Sequence, residues 1–128
     1  MRFLICGGRD FGETNEEWSF VTTTLDKIIT YDKYDYIVVI NGMARGVDNI
    51  SSEWAKARDI PVIEYPAEWD KYGKAAGFRR NREMLVEGKP DWVLAFPGGT
   101  GTQMMCDIAT RAGVRVKRFE YPHVDFIA

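Results

Sequence analysis

"AFPGGTGTQMM", residues 95–105, decides how this chain is read. An apolar run stops at Pro97, glycines follow at positions 98, 99 and 101, and a stretch of helical character resumes at once. A strand, a glycine-rich turn and a helix in that order aim several unpaired backbone N–H groups of the first helical turn at one point, where a phosphate gains from both the donors and the helix dipole. Thr100 and Thr102 add hydroxyl donors to the same place.

Working outward, four further apolar runs flank this unit: "RFLIC" (2–6), "DYIVVIN" (35–41), "IPVIEY" (60–65) and "VRVKRF" (114–119), with "DWVLAF" (91–96) leading into the turn itself. None alternates apolar and polar residues as a half-solvated sheet does, so they read as buried parallel strands. The intervening segments carry helical spacing. In "TNEEWSFVTTTLDKIIT" (14–30), Thr14 or Asn15 serves as N-cap and Trp18, Val21, Leu25, Ile28 and Ile29 share a face. "VDNISSEWAKARD" (47–59) places Val47, Ile50, Trp54 and Ala57 together, "RNREMLVEGK" (80–89) ends at Gly88, and a last helix runs from about Thr102 to Ala112. The β-α alternation predicts an α/β fold, a three-layer Rossmann-like sandwich on a mostly parallel five-stranded sheet, order 3-2-1-4-5, forming one domain over residues 1–128. Ligands in such sheets sit beyond the carboxyl ends of the strands, where the strand order reverses.

Composition narrows the function. The formal net charge is −2, which offers little attraction to a polyanion and argues against sequence-independent nucleic-acid binding. Cys6 and Cys106 sit in apolar surroundings without metal-ligand spacing, as buried thiols of a reducing compartment do. The apolar run in "MRFLICGG" is too short for a signal-peptide core or a membrane span, so a cytoplasmic protein with no membrane partner is expected.

Three loops leaving the strands carry glycine: "GGRDFG" (7–12), "NGMARGVD" (41–48) and "PGGTGT" (97–102). Order 3-2-1-4-5 makes the first and third face each other, collecting Gly7, Gly8, Arg9 and Asp10 with Pro97, Gly98, Gly99, Thr100, Gly101 and Thr102. In the second loop Arg45 can reach an anion, Asn41 either reads a base or sugar edge or stabilises the turn, Gly42 follows it, and Asp48 either contributes to the site or caps a helix. The segment from 66 to 84 reads as long and irregular, with Trp69, Tyr72 and Phe78 available to stack on a ring; Arg79, Arg80 and Arg82, with Asn81, then open a helix against its dipole unless an anion relieves them. The motif is neither a Walker loop nor GxGxxG. His123, the one histidine, is expected at the surface.

Taken together, "GGRDF", "NGMARGVDNISSEWA", "GFRRNREM" and "FPGGTGT" resemble the SLOG superfamily, specifically its YspA-like branch, over residues 3 to about 116. The resemblance implies a nucleotide or nucleotide-derived ligand in the crevice, and oligomers are common among LOG-like members, so Trp18, Phe20 and Trp54 serve either a homo-oligomer interface or the core. No cofactor is expected, although Mg²⁺ can accompany a phosphate. The superfamily includes the LOG-type phosphoribohydrolases, which pair an arginine in a motif like "RNREM" with a glutamate in PGGxGTxEE, and the DNA-binding protein DprA. Arg80 matches that arginine, but Met104 and Met105 stand at the glutamate positions, and methionine handles no proton. Three functions are therefore weighed: a nucleotide sensor or sequestering module; a nucleoside-monophosphate N-glycosidic hydrolase or transferase with Arg80 and a substitute acid, Asp10, Glu83 or Asp107; and single-stranded nucleic-acid binding through Arg79, Arg80 and Arg82.

Overall fold

The computed structural model describes residues 1–29 and 36–121. Its sheet consists of β1 (Arg2–Cys6), β2 (Val38–Asn41), β3 (Val62–Glu64), β4 (Trp92–Ala95) and β5 (Arg115–Arg118). All are parallel, in the order β3-β2-β1-β4-β5. The apolar runs have no polar alternation because both faces are covered. Along β1, Phe3 and Ile5 enter one core with Val21, Leu25, Ile50 and Trp54, while Leu4 and Cys6 enter the other with Met84, Met105 and Cys106. The charged edge strand β5 discourages further pairing, as exposed sheet edges require.

Helices α1 (Asn15–Ile28) and α2 (Val47–Lys56) cover the first face. Thr14 is the α1 N-cap: its hydroxyl accepts from Glu17 N at 3.1 Å, and Glu17 Oε1 reaches back to Gly12 N at 2.8 Å, a reciprocal arrangement that satisfies otherwise orphaned donors. Two residues of the expected apolar faces lie elsewhere. Trp18 is 37% exposed, and Ala57 lies past the end of α2, where Ala55 is buried instead. Trp54 is a core residue whose Nε1 donates to Asp26 on α1 at 2.9 Å.

The other face carries α4 (Ala76–Val86) and α5 (Thr100–Arg111). The segment expected to be irregular is ordered into a single helical turn α3 (Trp69–Tyr72), a 3₁₀ turn (Gly73–Ala75) and the start of α4. Since α4 begins at Ala76, Arg79, Arg80 and Arg82 lie beyond its first three residues, and the anticipated conflict with the dipole is largely absent. Helix α5 likewise starts two residues before the sequence suggests, at Thr100. No helix among the described residues is long and apolar enough to cross a membrane. His123 lies outside the described residues.

Backbone contacts that only glycine permits hold the loops together at the carboxyl edge. Gly8 N donates to Pro97 O at 2.8 Å, and Val47 N donates to Gly8 O at 3.3 Å. Gly46 makes this approach possible: its φ is +77°, and a Cβ there would lie 2.3 Å from Gly8 O. Gly46→Ala should therefore cost about 2–3 kcal/mol through combined strain and clash, read as a lower urea midpoint; an unchanged midpoint would contradict this packing.

Candidate functional site

The order of the sheet reverses between β1 and β4, and beyond their carboxyl ends opens a crevice of about 620 Å³. Its floor is backbone: Gly7 and Gly8 at the end of β1 line it without side chains. One wall is the first turn of α5. Gly99 is the N-cap residue with no side-chain cap, and the first intrahelical bond is Gln103 N to Gly99 O at 3.1 Å. The amides of residues 100–102 precede it and have no acceptor within the helix. Cβ atoms built on Gly99 or Gly101 would meet nothing within 4 Å, so this turn faces open space. Gly98 differs: a Cβ there would lie 2.2 Å from Thr102 Oγ1 and 2.7 Å from Gly8 N. Gly98 and Pro97 build the turn, and residues 99–102 line the crevice.

The opposite wall belongs to α3 and α4. Arg80 enters the crevice, fixed by a bond from Nη1 to the Gly42 carbonyl and another from Nε to Asn81 Oδ1 at 3.0 Å. Asn81 in turn donates to Gly101 O at 3.2 Å, so the guanidinium is locked to the α5 turn through adjacent residues of one helix. Gly42 supplies the space the guanidinium occupies, since a Cβ there would lie 2.2 Å from Nη1. Arg79 instead lies over Tyr72 at 3.9 Å, and Arg82 lies near Phe78 at 5.7 Å. Arg9 projects from the β1 loop over Trp69, its guanidinium carbon 5.0 Å from the ring centre. Trp69 and Phe78 both line the crevice and are 47% and 50% exposed, as aromatics available for stacking are. Lys74, on the 3₁₀ turn, adds a further cation.

Not every sequence candidate reaches this space. Asn41 is fully buried: its amide nitrogen donates to Ser52 Oγ at 2.7 Å, to Ser51 Oγ and to Asp48 O, and its Oδ1 accepts from Met43 N. It shapes the β2–α2 loop, and the edge-reading role is not available to it in this arrangement. Asp10 and Arg45 pair with each other at 2.7 Å on the exposed rim. Glu83 lines a separate small depression with Arg79 and Tyr72, and Asp107 accepts from Gln103 Nε2 at 2.8 Å. Both methionines at the glutamate positions line the crevice, Met105 from a fully buried position.

The carboxylate that does line the crevice is Asp48. It is 7% exposed, and its Oδ2 accepts from Ala44 N at 3.1 Å. The helix-cap role does not apply, because Asp48 lies within α2 and organises the preceding loop. Burial pushes its carboxyl up from 3.8 to about 6, against the pull of the Ala44 and Gly42 amides and the charges of Arg80 and Arg9. Burial also lowers Arg80, partly offset by Asp48. Cys6, at the crevice floor, and Cys106 on α5 are both buried; a mutual hydrogen bond together with burial raises the Cys6 thiol. Of the two roles open to Asp48 in the sequence, the structure places it in the crevice, while Lys74 carried no signal in the sequence because its position depends on which way its loop turns.

The family model for the YspA, cpYpsA-related SLOG family matches residues 1–72, more than half of the chain. The chain belongs to the YspA, cpYpsA-related SLOG family. It is also similar to Gene 61 protein of Mycobacterium phage D29, 34% identical over 125 residues, which span 92% of this chain and 95% of the relative. In this SLOG protein the matched region ends at Tyr72 and so contains β1, β2, the Gly46 junction and Asp48, while the α5 turn lies beyond it.

The raised Asp48 carboxyl has a stability consequence of definite sign. The folded state favours its protonated form, so its contribution is fully present below pH 3.8 and is lost as pH rises through about 6. Asp48→Asn should accordingly be more stable than wild type at pH 8, by up to about 3 kcal/mol, with the gap closing toward pH 4. Denaturation at a series of pH values measures this; a difference independent of pH would refute it.

Proposed function

We propose that this SLOG protein captures a nucleotide or a nucleotide-derived small molecule, seating a phosphate on the α5 turn at residues 98–102, and acts as a sensor or sequestering module. The observation that carries the reading is the uncapped, open-faced first turn of α5 standing opposite a guanidinium locked to it through Asn81. Phosphate at such a turn gains from free amides, the helix dipole and a charge-assisted contact together. Trp69 and Phe78 at the mouth suit a planar base, and Arg9 already lies against the Trp69 face.

Capture rather than cleavage is favoured by the acids: the positions where LOG-type enzymes carry glutamates hold Met104 and Met105, Asp10 pairs with Arg45, Asp107 accepts from Gln103, and Glu83 lies in a separate depression. Asp48 is the carboxylate left in the crevice, and recovery of the ligand intact or cleaved decides whether it transfers a proton. Single-stranded nucleic acid is disfavoured because Arg79 and Arg82 lie on Tyr72 and Phe78 and do not join Arg80 in one continuous basic track.

A thermal-shift screen against nucleoside mono-, di- and triphosphates, cyclic nucleotides and ADP-ribose, with chromatography of each mixture, tests the proposal. A ligand that raises the melting temperature and is recovered intact is expected; released base would replace capture with hydrolysis, and no stabilising ligand would remove the nucleotide site.

Two variants address the loop itself. Gly99→Asp should abolish ligand binding while the melting temperature of the free protein stays close to wild type, because the position faces open space. Arg80→Ala should weaken binding by about 1.5–3 kcal/mol, the range for a hydrogen bond to a charged group. Calorimetry giving wild-type affinity for either would contradict the assignment.

A further inference from the structure

An anion crevice lined by Arg9, Lys74 and Arg80 also contains Asp48, and a carboxylate there repels a phosphate. Its hydrogen bond to Ala44 N does not account for the charge, since an asparagine oxygen accepts the same bond. The fold therefore keeps a buried carboxylate in an anion crevice, and the Ala44 and Gly42 amides offset its burial only in part. An ionised carboxylate has about four acceptor positions, and the Ala44 and Gly42 amides engage it from the loop side. Asp48 also lines the crevice, where a hydroxyl donor would find a strong, charge-assisted acceptor.

Position defines the donor. β2 and β4 flank β1, and neighbouring strands run about 4.8 Å apart, which places the loops after β2 and β4 roughly 10 Å apart across the crevice. Gly7 and Gly8 lie between them and carry no side chain into that space. A molecule with its phosphate on the α5 turn thus presents its next several atoms to Asp48, and that is the reach of a five-carbon sugar phosphate.

We propose that Asp48 is the sugar-recognising residue of this crevice: its carboxylate accepts hydroxyl hydrogens of a phosphorylated ribose, free or within a nucleotide, whose phosphate lies on the α5 turn. The inference rests on the phosphate reading of the preceding section and adds to it the group that separates ribose phosphates from other phosphate esters. Asp48 is a specificity residue here. The charge it brings weakens attraction for a bare anion and strengthens binding only when hydroxyls accompany the phosphate.

Calorimetry at pH 7.5 with inorganic phosphate, butyl phosphate, ribose 5-phosphate and adenosine 5′-monophosphate, on wild type and Asp48→Asn, tests this. Wild type should prefer a ribose-bearing probe over butyl phosphate by about tenfold or more, as expected for a hydrogen bond to a charged acceptor. Asp48→Asn should lose that preference while binding inorganic phosphate at least as well as wild type. Loss of preference with ribose 5-phosphate assigns the site to the sugar phosphate itself, and loss with the nucleotide alone assigns it to nucleotides. If Asp48→Asn keeps the preference, Asp48 only organises its loop and the inference fails, with the phosphate site intact. If wild type binds none of the four probes, the phosphate reading fails and takes this one with it.

Discussion

Everything at the carboxyl edge of this sheet depends on the close approach of three backbones: Gly8 N to Pro97 O on one side, and Gly46 beneath Gly8 O on the other. Side chains cannot enter either contact. The β1 loop is thereby pressed flat, its glycines become a floor, and the α5 turn and the β2–α2 loop rise as walls around it. Were a Cβ inserted at Gly46 or Gly98, the loops would separate before any ligand arrived, and the crevice would lose its shape along with its stability.

On this frame the charges are arranged at some cost. Arg80 is partly buried, held by the Gly42 carbonyl and Asn81, and Asp48 is nearly excluded from water a short way off. Each moderates the burial penalty of the other, yet burial still dominates at Asp48. Both signs of charge in one cleft are what the proposed ligand, carrying an anion and hydroxyl donors at once, would meet. That chemistry is the common ground between the phosphate reading and the sugar-recognition proposal.

Much of this was legible in the residues. The parallel sense followed from apolar runs without alternation separated by helical stretches, and the crevice at the β1/β4 reversal followed once the order 3-2-1-4-5 was taken for such an alternation. The α5 turn was legible for the same reason, since a strand, glycines and a helix leave few geometries open. What escaped depended on tertiary context. Trp18 carries the right spacing for the core, but it lies in the first turn of α1, beyond the reach of the sheet. Asn41 stands at a strand end in sequence and structure alike, and only its bonds to the Ser51 and Ser52 hydroxyls and the Asp48 carbonyl show that it faces inward. A cap was one of two roles open to Asp48 because it stands at the start of a helix. Its entry into the crevice depends on the left-handed turn at Gly46, which sequence spacing does not reveal. Arg79, Arg80 and Arg82 were alike in charge and spacing, with Arg80 distinguished only by resemblance, and in the structure aromatic neighbours separate Arg79 and Arg82 from it.

The central claim is that the α5 turn is a phosphate seat, and amide-resolved NMR reads it directly. Titration of ¹⁵N-labelled protein with adenosine 5′-monophosphate should shift the amides of Thr100, Gly101 and Thr102 saturably and together, with the Arg80 side-chain signal following. Shifts that leave these amides unmoved while the ligand binds elsewhere would contradict the account.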